Sequence, residues 1–179
     1  LLDGSLYQGF KPVFWSTVEK TALADAEVEY QDHTSSTIFA AFKIKKTNKD
    51  FLKDANIIIW TTTPWTIPAN KALAFNQSIE YSLVEINELE NFNEKKIVVA
   101  TNLIDSIIKS CGIQQFKILK TFKGVEFEGT ICSHPLQELG YDFDVPMLDA
   151  RFVTLEQGTG IVHCAPSHGP DDFNLCLKH

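Results

Sequence analysis

Short apolar segments separated by turn residues are the feature that most limits how this chain can fold. Runs rich in β-branched and aromatic residues alternate with Gly-, Pro- and Asn-containing turns along most of its length, which is typical of a domain built from many short strands. The segments predicted as strands are 13–15, 28–30, 37–44, 57–60, 72–75, 81–86, 96–100, 116–121, 126–132, 152–155 and 161–165.

Two helices are predicted between these strands. Residues 102–111 place Leu103, Ile104, Ile107, Ile108 and Cys111 on one apolar face, with Thr101 or Asn102 as the cap and Gly112 as the stop. A second helix begins near Pro170, a residue suited to a first helical turn. Many short strands with few helices predict an α+β fold: a β-rich, barrel-like domain with a few peripheral helices.

The chain has 179 residues, enough for one domain or one domain with a short appendage. We assign residues 1–26, which are rich in turn residues, to connector strands and 27–179 to the domain proper. Because the sequence starts without Met and stops inside a predicted helix, we expect it to be a piece of a larger protein.

Charge and cysteine content limit the possible functions. Sixteen basic and twenty-three acidic residues give a net charge of −7, which argues against a module that holds nucleic acid by its own electrostatics. It still permits contact with a nucleic-acid end that another part delivers. The four cysteines have no CxxC spacing, so reduced thiols in the cytoplasm are expected. No apolar run could span a membrane and no signal peptide is recognisable, which also favours a cytoplasmic location.

The segment 158–172 concentrates the polar chemistry of the sequence. A short apolar strand lies between Gly158–Thr159–Gly160 and a Pro/Gly-rich exit, and the segment contains two histidines and two aspartates. Glycine and proline of this kind deliver polar groups where a strand ends and a helix begins. The glycines do not form a dinucleotide fingerprint or a phosphate loop, since the required spacing is missing.

His163, in the strand of this segment, has three possible roles. A histidine among apolar neighbours is usually a packed residue or a pocket wall, but imidazole can also serve as a general base. No GxSxG nucleophile is present to pair with it, and Cys164 should point to the opposite face of the strand. His163, His168 and Asp172 could in principle ligate a metal, although their spacing matches no known zinc pattern, so no metal is predicted.

The two aspartates, Asp171 and Asp172, can be read in two ways. Carboxylates in a first helical turn complement the helix dipole. Adjacent residues project in different directions, however, so one can face a cavity and bind an ammonium group there.

Three consecutive threonines follow the apolar segment 57–60. In the sequence Thr61–Thr62–Thr63–Pro64–Trp65–Thr66, Pro64 prevents the strand from continuing. One interpretation is an edge strand whose hydroxyls bond to backbone groups. The other is a row of hydroxyls that faces a polar ligand, with Trp65 as an apolar wall.

Taken together, the segments TTTPWTIPAN (61–70) and GTGIVHCAPSHGPDD (158–172) closely resemble the paired signatures of isoleucyl-tRNA synthetase editing domains, which are insertions in class I synthetases. Residues 11–16 and 21–30 extend this resemblance to essentially the whole chain. Valyl and leucyl enzymes usually carry Arg at the place of Thr63 and lack Trp65. Departures are mild: Cys164 stands where Thr is common, Ser167 where Gly is common, and Thr17 where Pro is common.

The resemblance implies hydrolysis of valine wrongly esterified to tRNA(Ile), and of valyl-adenylate, with isoleucine rejected by size. Editing is needed because one methylene is worth only ~1–3 kcal/mol in a hydrophobic pocket, a limit for which isoleucyl-tRNA synthetases are the standard example. The synthetic-site motifs HIGH and KMSKS are absent from the sequence, so the domain is expected not to activate isoleucine. The implied partners are the tRNA 3′ end and the rest of the synthetase; a monomer without cofactor is expected.

Residue by residue, the resemblance assigns Asp172 to the substrate ammonium group and Thr61, Thr62 and Thr63 to the ribose, carbonyl and attacking water. Trp65, Thr66 and His163 become walls of the side-chain pocket, and Gly158 and Gly160 shape the site through their backbone. Two alternatives stay open: a non-catalytic module that docks the tRNA acceptor end, and a metal-dependent hydrolase.

Overall fold

The computed structural model describes residues 3–87, 92 and 95–179 and is a strand-rich α+β fold, as predicted. The strands are β1 (Trp15–Ser16), β2 (Thr21–Ala22), β3 (Ile38–Lys46), β4 (Asn56–Thr61), β5 (Ala72–Phe75), β6 (Glu80–Ile86), β7 (Lys96–Ala100), β8 (Phe116–Lys123), β9 (Ile131–Ser133), β10 (Asp144–Asp149) and β11 (Val162–Cys164). The α-helices are α1 (Ile104–Ser110) and α2 (Pro170–Lys178). Six 3₁₀ segments are described: Asp25–Glu27, Asp50–Leu52, Pro64–Ala69, Thr101–Leu103, Gly124–Phe127 and Gln137–Leu139.

Strands β3 to β11 form one nine-stranded sheet in the order β11-β5-β10-β9-β3-β4-β7-β6-β8. Neighbouring strands are antiparallel except for the pairs β10/β5 and β4/β7, which are parallel. The outer strands β11 and β8 do not pair with each other, so the sheet is open and the described strands close no barrel.

Most predicted strands are confirmed, and the exceptions have local causes. Residues 28–30 are extended without a ladder, and Tyr30 is exposed, so alternation there does not reflect a buried face. The segment predicted at 126–132 is a 3₁₀ turn followed by β9, because Gly129 adopts a left-handed φ of 73°. Residues 152–155 form no strand either.

Strand β10 was not predicted because Pro146 lies in its centre. Proline lacks the N–H that a ladder needs and argues against an interior strand. Here Pro146 pairs with Ile131 of β9, while Met147, Leu148 and Asp149 pair with β5 on the other side. Pro146 therefore lies at a position that pairs with β9 but not with β5.

Two hydrophobic clusters hold the fold together. The larger one includes the interleaved rings of Phe75, Tyr81, Phe122 and Phe127, with centroid separations of 4.9 to 5.2 Å for the pairs that Phe127 makes. The smaller cluster lies under α2 and contains Ala72, Ala74, Ala150, Val153, Cys164 and Leu175. This second cluster fixes α2 against β5 and β11, and so fixes where the first turn of α2 points.

The described part of the N-terminal segment, residues 3–26, contains only the β1–β2 hairpin and part of one 3₁₀ turn. Most of its large side chains are exposed, including Tyr7 at 81% and Phe10 at 88%. This region contributes no residue to either hydrophobic cluster among the described residues. The boundary at residue 26 remains a prediction, and residues 1–2 lie outside the described part of the chain.

Gly160 should tolerate alanine much less well than Gly140 does. Both glycines have left-handed φ angles, 74° and 96°, but a Cβ on Gly160 would lie 2.4 Å from Ala100 Cβ, whereas Gly140 has nothing within 4 Å. We expect Gly140→Ala to cost ~1 kcal/mol for the backbone alone and Gly160→Ala ~1–3 kcal/mol more for the clash. Urea denaturation of the two variants measures the difference; equal losses would contradict the close approach.

Candidate functional site

The first wall of the site forms where β4 ends. Thr61 is the last residue of β4, and Pro64 starts a 3₁₀ turn that runs to Ala69. The turn is tied to the threonine row, because Thr66 N–H donates to the Thr63 carbonyl at 3.0 Å and Thr63 N–H donates to Thr61 Oγ1 at 3.0 Å. Thr61 and Thr66 are buried, Thr63 is half-buried and Thr62 is exposed.

The second wall is β11, which pairs antiparallel with β5. Its central residue His163 is 9% exposed and lies against Thr66. The next residue, Cys164, packs into the cluster under α2 instead. The prediction that Cys164 faces away from the pocket is therefore confirmed, and a Cys164–His163 dyad is not formed.

Hydrogen bonds fix the tautomer of His163. Asn70 Nδ2, which also donates to the Ala72 carbonyl at 2.9 Å, lies 3.2 Å from His163 Nδ1. The Thr66 hydroxyl donates to the Thr63 carbonyl at 2.8 Å and lies 2.9 Å from His163 Nε2. Since an amide N–H can only donate, Nδ1 accepts; Nε2 then carries the proton and donates to Thr66 Oγ1.

Burial lowers the pKa of His163 to about 4, with smaller contributions from His168 and His134. The ring is therefore neutral near pH 7, and both of its nitrogens already have partners. A general base needs a nitrogen that can take a proton from the substrate side. The geometry favours a wall over a base at this position.

Asp172 lies in the first turn of α2, after the N-cap Gly169 and Pro170. Its Oδ2 accepts the Ala165 N–H at 2.8 Å, which anchors the carboxylate to the end of β11. Burial raises its pKa, while hydrogen bonds from the Ala165 N–H and the Cys164 thiol oppose that rise. A cationic group bound beside Asp172 would replace the solvation that the carboxylate has lost.

These elements enclose one cavity of about 370 Å³. Its lining residues are Trp60, Thr61, Thr62, Thr63, Trp65, Thr66, Val162, His163, Ala165, His168 and Asp172. The volume suits a small-molecule ligand or the end of a larger one. Trp65 is 64% exposed, so it forms the open rim of the cavity and not a closed floor.

The structure does not bring the two predicted glycines into this cavity. Gly158 lines a neighbouring groove next to Trp60, and Gly160 packs against Ala100. The Gly160 carbonyl accepts the Tyr81 hydroxyl at 2.8 Å, and Ala100 N–H donates to the Thr159 carbonyl at 2.8 Å. The glycine segment thus fastens the start of β11 to the sheet.

The threonine row bonds to backbone groups, as one interpretation predicts, but β4 pairs with both β3 and β7 and is not an edge strand. Thr61 and Thr66 do bond to backbone groups, as expected for a structural role. All four threonines nevertheless line the cavity, and the Thr61 and Thr63 hydroxyls lie 3.2 Å apart. The same threonines that shape the turn therefore also line the cavity, and their role toward a ligand stays a prediction.

Asn70 is a residue behind the cavity wall that sequence reasoning missed. It is fully buried and holds His163 Nδ1, yet in the sequence it is one more Asn in a Pro-containing loop. Asn70 Oδ1 has no hydrogen-bond partner. His168 and Trp60 also line the cavity, whereas the sequence suggests His168 only as a metal ligand. Among the described residues, no group of three or more His, Cys, Asp or Glu side chains could hold a metal ion.

Solved structures share this fold. The crystal structure of GlLeuRS-CP1 has a TM-score of 0.61 at 16% identity, over 80% of this chain and 59% of that one. The P. knowlesi cytosolic leucyl-tRNA synthetase editing domain has a TM-score of 0.58 at 14% identity, over 76% and 59%. The fold is therefore that of synthetase editing domains.

Sequence similarity then gives the family. A model described as tRNA synthetases class I (I, L, M and V) matches residues 1–153. Isoleucine–tRNA ligase of Pelagibacter ubique is 68% identical over 179 residues, and that of Gluconobacter oxydans is 50% identical over 185. Both alignments cover 100% of this chain but only 20% and 19% of the relatives. The chain belongs to the class I tRNA synthetase family and is homologous to the editing region of isoleucyl-tRNA synthetases.

The low pKa of His163 predicts acid sensitivity. The unfolded chain takes up a proton at the ordinary histidine pKa of 6.5, while the folded chain does not until about pH 4. The free energy of unfolding should therefore fall as pH drops from 6.5 toward 4, by up to ~3 kcal/mol from this residue.

The control for this prediction is His163→Gln, measured by urea denaturation at several pH values. It should show a flatter pH profile than the wild-type chain. His134, whose pKa burial also lowers, leaves some slope in both proteins. Identical slopes in the two proteins would contradict the assignment to His163.

Proposed function

We propose that this domain hydrolyses the ester of valine wrongly attached to tRNA(Ile), and also valyl-adenylate. The observation that carries the proposal is the cavity itself, which brings an anchored carboxylate, a row of hydroxyls and a buried wall against one ligand-sized space. Membership of the class I family and the shared editing-domain fold support it.

Asp172 is the anchor for the substrate in this proposal. An aminoacyl ester carries an α-ammonium group, and Asp172 is the carboxylate in the cavity lining. Because Ala165 N–H already holds its Oδ2, the carboxylate is fixed in place before the substrate arrives. A charge-assisted hydrogen bond from the ammonium group to this carboxylate would place the ester relative to the threonine row.

The threonine row then meets the ester and the attacking water. Hydroxyls can both donate to a carbonyl oxygen and accept from a water molecule. An aminoacyl ester is already activated, so an oriented water suffices and no covalent intermediate or metal is needed. The catalytic contribution is placement, which can supply a large part of the rate.

The size limit comes from Thr66 and His163. Both are buried and are joined through the 2.9 Å contact between Thr66 Oγ1 and His163 Nε2. Thr66 and His163 move little because each also hydrogen-bonds to a second group. The extra methylene of isoleucine would therefore meet fixed atoms. A rigid wall is the kind of element a second sieve requires.

The terminal nucleoside has a place next to this cavity. Trp60 lines both the cavity and a groove of about 240 Å³, whose other walls are Phe39, Ser106, Ile107, Ser110, Gln157 and Gly158. An aromatic wall with hydroxyl and amide groups suits stacking and hydrogen bonding of a base. We therefore place the ribose between the threonine row and Trp60.

The tRNA and the remainder of a synthetase are the proposed partners, and the cytoplasm is the proposed location. The chain spans about a fifth of the length of the curated relatives it matches, and its net charge is −7. We therefore expect other parts of a synthetase to hold the tRNA body, and the domain by itself to be a monomer without a cofactor. Among the described residues no helix is long and apolar enough to cross a membrane.

Replacement of Asp172 tests the anchor. Asp172→Ala should lower deacylation of Val-tRNA(Ile) roughly a hundredfold or more, because the ester is no longer placed. Asp171→Ala, one residue away in the same helical turn and outside the cavity lining, should retain activity and is the matched control. Rates come from release of labelled valine at high protein concentration, with and without a chelator.

The outcomes separate the competing functions. Equal rates for the wild-type chain and Asp172→Ala would contradict the role of Asp172. Activity lost on chelation would favour a metal-dependent hydrolase. A chain that binds valyl-adenosine analogues but never cleaves the ester would favour a non-catalytic docking module.

Enlargement of the pocket tests the sieve. Thr66→Ala should begin to hydrolyse Ile-tRNA(Ile), whereas Thr66→Val, which keeps the volume but loses the hydroxyl, should not. One methylene changes the discrimination between two substrates roughly tenfold or more in such a pocket. The ratio of the Val-tRNA to the Ile-tRNA deacylation rate should therefore fall by about that factor in Thr66→Ala. If both variants keep the wild-type ratio, Thr66 is not part of the size limit.

A further inference from the structure

A second buried histidine lies on the far side of the turn that carries Thr66. His134 directly follows β9 and is 2% exposed. Leu136 N–H lies 3.1 Å from His134 Nδ1, so Nδ1 accepts and the proton is on Nε2. Nε2 donates to the Ile67 carbonyl at 2.9 Å.

The Ile67 carbonyl connects His134 to the turn that supplies Thr66 to the cavity wall. It also accepts the Asn70 N–H at 2.9 Å, and the Ile67 side chain is buried in the main hydrophobic cluster. On one side of Ile67 lies Thr66, which contacts His163 Nε2, and three residues further lies Asn70, which contacts His163 Nδ1. Both residues that hydrogen-bond to His163 therefore belong to the segment whose Ile67 carbonyl accepts from His134.

An aromatic cage keeps His134 itself in place. Tyr141 stacks on its ring at a centroid distance of 4.9 Å and an interplanar angle of 19°. Phe143 and Phe42 approach at 5.3 Å and 6.1 Å, and Lys71 Nζ covers Phe143 at 4.0 Å from the ring centroid. A ring fixed by stacking on one side can hold a carbonyl at a defined position.

We propose that His134 is a positioning residue for the amino-acid sieve: its bond to the Ile67 carbonyl sets the positions of Thr66 and Asn70, and through them the orientation of His163 in the cavity wall. This inference rests on the proposed function for its consequence in specificity. Its structural part, the coupling of His134 to His163, does not depend on it.

The test compares three variants of the 179-residue chain. His134→Phe keeps a ring for the stack but loses both hydrogen bonds, and His134→Gln keeps an amide that can donate to Ile67 and accept from Leu136. Tyr141→Leu removes the stacked ring and leaves both hydrogen-bonding partners. Thermal unfolding curves of all the proteins are used to choose one temperature at which every variant is folded.

Two readouts are measured at that temperature: the ratio of Kd for non-hydrolysable valyl- and isoleucyl-adenosine amides, and the ring ¹⁵N resonances of His163. We expect His134→Phe to lower the selectivity ratio roughly tenfold, as a displaced wall would, and to shift the His163 resonances. His134→Gln should restore both, and Tyr141→Leu, which leaves the two hydrogen bonds and the Phe143 and Phe42 contacts, should have a clearly smaller effect on each than His134→Phe.

The readouts separate this inference from the proposed function. A wild-type chain that does not prefer the valyl ligand would contradict the sieve, but the His163 resonances would still report the coupling. His163 resonances in His134→Phe that match the wild type would overturn the proposal whatever the ligands do. An equal effect of Tyr141→Leu at matched stability would overturn it too, since His134 would then be only a packed residue.

Discussion

The 2.9 Å contact between Thr66 and His163 is the interaction on which the site depends, since it joins residues 97 positions apart in the chain. It connects the turn after β4 to the strand β11 at the edge of the sheet. The turn and the strand each supply one wall of the cavity, and neither forms a cavity without the other. Because Thr66 Oγ1 also donates to its own turn and His163 also accepts from Asn70, both partners are held from behind, and the contact is geometrically defined on both sides.

The chemistry of the site follows from which groups are kept neutral and which are kept charged. Burial lowers the pKa of His163, so the imidazole is a neutral wall with fixed hydrogen bonds. Burial raises the pKa of Asp172, whereas the Ala165 N–H and the Cys164 thiol favour its ionised form. A poorly solvated carboxylate beside a neutral histidine favours a cationic ligand. The proposed anchoring of an α-ammonium group uses this electrostatic asymmetry.

Local patterns predicted the elements well where the pattern and the environment agree. The bounds of β5 and β7 match the prediction, because the continuous apolar runs 72–75 and 97–100 are buried there. β10 escaped prediction because Pro146 argues against a strand, and only the registers of β5 and β9 show how it is accommodated. The prediction for residues 28–30 was wrong for the opposite reason: the alternation is present in the sequence, but these residues pair with no strand and Tyr30 is exposed.

By itself, the sequence determined the α+β class, the family through its two signature segments, and the residue types that line the cavity. The tertiary structure alone decided that the sheet is open, that Gly158 and Gly160 lie outside the cavity, and that the buried Asn70 holds His163 from behind. It also decided the protonation state of His163, since that depends on partners from a distant turn and on burial by several strands. The physical reason is the range of the interactions: strand propensity and turn chemistry act between near neighbours, whereas tautomers, pKa values and cavity walls depend on residues that meet only after folding.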